Sequence, residues 1–194
     1  MNTNSSFALD NTFNSIAERD VSFQACILGK PIPLQRPMFR FRGRGTQVSL
    51  RPYNPTMAKL LQFRRLITQV VAPDPQEAGN DAAPPVPPFP LFSRSIPLVV
   101  HVTFFMRRPL THFSSRGDRN SGVRARYINA LPVCRPDLDN LVKFLLDGLE
   151  GGVYGNDCSI IRIVASKRYD DRRDCAGRIE VRVVKAVAMS NAIM

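Results

Sequence analysis

Between residues 21 and 73 the chain has no acidic residue at all, although nine basic ones fall in the same stretch. Other shortages narrow the reading as much. There are only two histidines, His101 and His112, and the four cysteines, Cys26, Cys134, Cys158 and Cys175, never form a Cys-x-x-Cys pair. Zinc spacing and a redox motif are therefore both missing. In a chain of this length with ordinary hydrophobic content and no export signal, reduced structural thiols are expected rather than a disulfide framework. No apolar run approaches the ~20 residues of a membrane helix, and the longest, 96–106, is the size of a strand. The first twenty residues set Asp10, Glu18 and Asp20 against Arg19 alone, unlike a secretory signal or an arginine-rich transit peptide. The expectation is a soluble intracellular protein, not secreted, with no membrane partner.

What the chain does contain is positive charge. Its 194 residues carry a formal net charge of +11, and 44% are hydrophobic, which is enough for one core. The organisation expected is a polar tail over 1–20, a single domain over 21–187 and a short tail over 188–194. Besides the acid-free stretch, residues 107–135 hold seven basic residues against Asp118, and residues 167–185 hold seven against four acids. Cations that neutralise phosphates release condensed counterions, so runs of this kind suit a nucleic-acid backbone. The alternative is a solvated basic face with no partner. The residues placed on DNA by this reading are Arg36, Arg40, Arg42, Arg44, Arg124, Arg126, Lys167 and Arg168.

Periodicity predicts four strands and two helices. Strands are expected over 21–28, 98–106, 159–169 and 178–187, each alternating or rich in strand formers. Residues 36–45 interleave Phe39 and Phe41 with arginines, which fits either a loop that offers aromatic faces to bases or a plain hairpin arm. A helix over 57 to about 72 follows Thr56 as N-cap, with Leu60, Phe63, Ile67, Val70 and Val71 at helical spacing. The proline- and alanine-rich stretch 73–90 and the glycine- and serine-rich stretch 107–131 are expected as mobile loops, the second able to close on DNA. These elements suit a single small α/β (α+β) domain of about four strands and two main helices.

The second helix carries the chemistry. Arg135-Pro136-Asp137-Leu138-Asp139-Asn140-Leu141-Val142-Lys143 is followed by a third acid, Asp157, in the turn before a strand. Three carboxylates and a lysine inside a basic protein suit a hard cation, because Mg²⁺ takes one or two protein carboxylates, keeps waters and binds substrate phosphates directly. Leu138, Leu141, Val142, Leu145 and Leu149 form the apolar stripe, while Asp139, Lys143 and Asp147 share another face. Two blander roles compete: Asp137 or Asp139 as an N-cap, and Asp139-Lys143-Asp147 as an exposed ion-pair ladder.

The motif resembles the RusA family of Holliday-junction resolvases. The likeness covers the aspartate pair around one apolar residue, Asn-Leu, the lysine six residues after the first aspartate, Asp147 four further on, and Gly-Asn-Asp before Ser-Ile-Ile. Gly29-Lys30-Pro31-Ile32-Pro33 and Arg36-Pro37 also look like that family's early segment. The resemblance implies a small α/β (α+β) homodimer with a mixed, mostly antiparallel sheet that cuts four-way DNA junctions by paired symmetric nicks in recombination and repair, using Mg²⁺ with Mn²⁺ as a substitute and no nucleotide cofactor. It assigns the metal to Asp137, Asp139 and Asp157 and the essential lysine to Lys143. One departure is Asn156, where family members commonly carry the first of two adjacent aspartates. Two rivals stay open: a structural DNA-binding protein weakened in catalysis, and a less selective metal-dependent nuclease of flaps or forks.

Overall fold

The computed structural model describes residues 7–9, 22–44, 47–71, 90–114 and 122–186. Along the chain come β1 (Ala8–Leu9), β2 (Ser22–Leu28), β3 (Met38–Arg44), β4 (Gln47–Tyr53), α1 (Met57–Val71), β5 (Leu98–Met106), α2 (Leu138–Leu149), β6 (Ile160–Tyr169) and β7 (Gly177–Lys185). Five strands form one sheet in the order β1-β2-β7-β5-β6, and β3 and β4 pair separately. Among the strands of the described residues, β5 and β6 pair parallel and the other strand pairings are antiparallel. A parallel pair needs a long crossover rather than a tight turn, and α2 is the helix of that crossover.

One face of the sheet is apolar by alternation. Leu98, Val100, Val102, Phe104 and Met106 of β5 are buried together with Phe23, Ala25 and Ile27 of β2 and Ile179, Val181 and Val183 of β7. Both helices cover this face. Leu60, Phe63, Ile67 and Val71 from α1 and Leu141, Phe144, Leu145 and Leu149 from α2 belong to the same core cluster. Each such side chain contributes roughly 1.5–3 kcal/mol on full burial. The helices meet closely at Gly148, where a Cβ would lie 2.6 Å from Cε1 of Phe63. Phe63 in turn sits edge-on between Phe7 and Phe144, at ring separations of 5.2 and 5.5 Å.

All six expected elements are present, and the mixed, mostly antiparallel α+β architecture is the one the resemblance implied. Three differences have physical causes. Residues 7–9 fall within the expected polar tail, yet Phe7 is buried and Ala8–Leu9 pair with Leu28 and Ile27, because β2 would otherwise be an open edge over that apolar side chain. Within the expected 36–45 segment, Met38–Arg44 takes the hairpin alternative, pairing in register with Gln47–Tyr53. Of the expected loop 107–131, residues 115–121 lie outside the described residues, while on either side of them Phe113 is buried and bridges Val123, and Arg108 is turned inward with 3% exposure. The expected loop at 73–90 lies outside the described residues except for Pro90, and the tail at 188–194 lies outside them entirely. Among the described residues no helix is long and apolar enough to cross a membrane.

Candidate metal centre and nucleic-acid face

The acidic motif begins where the crossover turns into α2. Asp137 takes the N-cap position with extended dihedrals, but its side chain makes no cap hydrogen bond. An aspartate there ordinarily accepts an amide of the first turn, so this carboxylate is left free and exposed. Asp139, in the first turn, lies 3.6 Å from the ammonium of Lys143, with both side chains largely exposed. That is the first rung of the ion-pair ladder. The ladder stops there: Arg64 from α1, not Lys143, reaches Asp147, donating from Nε to its backbone oxygen at 2.8 Å. Arg64 also lies 3.6 Å from Glu150, so it places a cation at the negative end of the helix dipole.

Asp157 opens a 3₁₀ turn, Asp157–Ser159, just before β6. Asn156 caps this turn, its side-chain oxygen accepting from the Cys158 amide at 2.9 Å. An amide oxygen serves that bond as a carboxylate would, so the departure at 156 keeps the turn intact. Ser159 donates to the Arg94 oxygen at 3.2 Å and ties the turn to the 90–97 segment. Burial raises the pKa of Asp147; Arg64 opposes the shift and the charge of Asp157 adds to it. Asp157 therefore stands in the electrostatic field of Asp147, two turns along α2 from Asp139, about 12 Å at 1.5 Å per residue. Tyr154, fully buried and donating to the Leu146 oxygen at 2.8 Å, is raised too, by burial first and then by Glu150, Asp157 and Asp147.

The three expected ligands are not gathered: Asp137 and Asp139 open α2, whereas Asp157 lies in the turn before β6. Among the described residues no group of three or more histidine, cysteine, aspartate or glutamate side chains is close enough to hold a metal ion. Their chemistry still fits Mg²⁺. Asp137, Asp139 and Asp157 are exposed oxygen donors, and Mg²⁺ asks for only one or two protein carboxylates before waters and phosphate oxygens complete its shell.

The cationic candidates divide. Arg36 lines a cleft of about 740 Å³ beside Asp137, which Lys30 and Arg135 also line. Neither of those two was placed on DNA by the charge runs; Lys30 within a proline-stiffened turn and Arg135 next to the acidic pair were the signals available. Arg40 stacks its guanidinium 4.9 Å from the Tyr53 ring centre, and Arg42 and Arg44 continue β3. Arg124 is the N-cap of the 3₁₀ turn Ala125–Tyr127 and Arg126 lies within it, its guanidinium 4.8 Å from the Tyr127 ring centre.

Lys167 and Arg168 are split by the pleat. Lys167 is opposite buried Phe104, on the helix side, whereas Arg168 is opposite Phe105 on the other face. Lys167 Nζ donates to the Cys134 oxygen at 2.8 Å and to the Pro136 oxygen at 3.0 Å. It holds the backbone that delivers Asp137, across a cis Arg135–Pro136 peptide, rather than standing free for phosphate. Arg108 is spent internally as well, on the backbone oxygens of Asp170 and Tyr127 and on the Asp171 carboxylate.

The model of a family described as endodeoxyribonuclease RusA matches residues 29–184. No curated protein matches the chain.

Proposed function

From the premise that this chain belongs to the RusA family of endodeoxyribonucleases, we propose that it is a Mg²⁺-dependent, structure-selective nuclease that resolves four-way DNA junctions as a homodimer. The observation that carries the reading is the free carboxylate of Asp137. An acid at a helix N-cap that does not cap is available for chemistry, and it borders a cleft lined by Lys30, Arg36 and Arg135. The residues that would hold the cation are Asp137, Asp139 and Asp157. When bound, Mg²⁺ supplies an activated water and charge stabilisation for in-line phosphodiester displacement, leaving 5′-phosphate and 3′-hydroxyl ends.

The chain's own groups then have separate duties. Lys143 keeps positive charge beside Asp139, where negative charge accumulates on the phosphoryl oxygens during displacement. Asp137, which borders the cleft, and Asp139 would hold the cation, with waters and substrate phosphate oxygens supplying its remaining ligands. That is why three carboxylates need not touch one another beforehand. A two-fold dimer matches a near two-fold junction with two identical sites and so accounts for paired nicks.

Asp139→Asn is expected to abolish cleavage of a synthetic four-way junction while leaving its binding largely intact. Unchanged cleavage would remove the metal assignment. Light scattering at micromolar protein is expected to report a dimer, and comparing a four-way junction, a flap and linear duplex at one salt concentration separates a resolvase from a broader nuclease.

A further inference from the structure

The cleft beside Asp137 is built for more than a phosphate backbone. Its rim has three cations, Lys30, Arg36 and Arg135, but its lining includes Pro31, Leu34 and Met38. A surface that follows only the outside of a duplex uses cations and amide donors, because stacked bases present no apolar face to it. An apolar lining beside a cationic rim matches a nucleotide that has left the stack, with a phosphate at one end and a flat, weakly polar base at the other. At about 740 Å³ the cleft falls within the ~300–1,000 Å³ typical of pockets for small organic ligands.

Its walls are held rather than loose. The Leu34 amide donates to the Asn140 oxygen of α2 at 2.8 Å, and the Gln35 amide donates to the Thr56 hydroxyl just before α1 at 3.4 Å. Met38 is 52% exposed, and the Tyr53 hydroxyl lies 3.8 Å from its sulfur. A base pair next to a branch point is cheaper to open than one inside linear duplex, since part of its stacking is already lost. We infer that the cleft receives one unpaired nucleotide adjacent to the scissile phosphate, with Lys30, Arg36 and Arg135 on its phosphates and Pro31, Leu34 and Met38 against its base. This rests on the nuclease reading above and makes the cleft the place where branched DNA is told from linear DNA.

The test uses the full chain and a four-way junction carrying 2-aminopurine beside the crossover, with divalent ions chelated so that no strand is cut. Wild type is expected to raise the probe's fluorescence on binding the junction and to leave it unchanged in linear duplex. Met38→Gln, at an exposed position and nearly isosteric, is expected to suppress that rise and weaken junction binding about fivefold through lost apolar contact. Its linear-duplex affinity should stay within about twofold, because a backbone contact is charge-driven. Lys30→Gln is expected to lower the log–log salt slope of junction binding by about one. If wild type cuts the junction with Mg²⁺ yet leaves the probe silent, or if Met38→Gln weakens both DNAs equally, the cleft inference fails and the nuclease reading survives. If wild type neither binds nor cuts branched DNA, both fall.

Discussion

Replacing Lys167 with methionine separates two roles that charge alone cannot distinguish. The side chain keeps its length but loses both donations, to Cys134 oxygen at 2.8 Å and to Pro136 oxygen at 3.0 Å. A hydrogen bond from a charged donor is worth about 1.5–3 kcal/mol. The bond to Cys134 faces solvent, where water replaces it at little cost, so most of the effect comes from the part-buried bond to Pro136 and amounts to about 1–2 kcal/mol. Pro136 precedes Asp137 directly, and that energy holds the free carboxylate in place. If Asp137 binds the cation, releasing its backbone weakens Mn²⁺ binding about tenfold, since 1.4 kcal/mol is one decade in affinity. Titration calorimetry of the free protein with Mn²⁺ reads this without any DNA. Lys167→Arg should recover most of the loss, and a thermal melt checks that the fold persists. The reasoning is refuted if Mn²⁺ affinity is unchanged while junction affinity falls and its salt slope drops by about one, because that is the signature of a phosphate contact.

Two further perturbations test the frame around the site. Gly148→Ala gains about 1 kcal/mol in helix propensity but drives a methyl into Phe63, which is fully buried between Phe7 and Phe144. Overpacking costs about 1–3 kcal/mol, so a lower melting temperature is expected, with partial rescue by Phe63→Leu; a raised one would contradict the close α1–α2 approach. Asp170 is fully buried, and although burial alone would raise its pKa, hydrogen bonds from Arg172, Cys175 and Arg178 bring it down to about 2. Against an unfolded value of about 3.9, its contribution is complete above about pH 4 and is lost as pH falls through about 2. Asp170→Asn should remove that acid-side dependence and destabilise the fold by about 3–5 kcal/mol, as breaking a buried pair does. Denaturant melts of both proteins between pH 2 and 6, a span set by those two pKa values, check it, and parallel stability curves would exclude the role.

Which residues form strands and helices was legible because the signal is local. The alternation in 98–106 and the stripe Leu141, Val142, Leu145 and Leu149 are properties of adjacent residues, and Gly151 permits the chain to leave α2 with a φ of 89°. The Arg135–Lys143 motif was legible for the same reason: its spacing along one helix sets which side chains share a face. The polar tail misled because a single phenylalanine, Phe7, outweighs its polar neighbours once an apolar gap exists for it beside Phe63. Phe39 and Phe41 alternate equally well in a loop or a hairpin, and only the partner strand β4 decided between them.

The chain's order of residues alone determined the four main strands and two helices, the basic character and the identity of the acids and lysine of the motif. The tertiary structure decided the rest, because distance in space depends on sheet order and on the crossover. Pairing β5 with β6 sent Lys167 toward the Asp137 backbone and Arg168 to the opposite face. Folding α1 onto α2 gave Arg64 the carbonyl of Asp147, and the turn before β6 brought Asp157 into the field of that residue rather than into a closed cluster with Asp137 and Asp139. Charge can be counted along a chain; where it faces follows from which strands become neighbours.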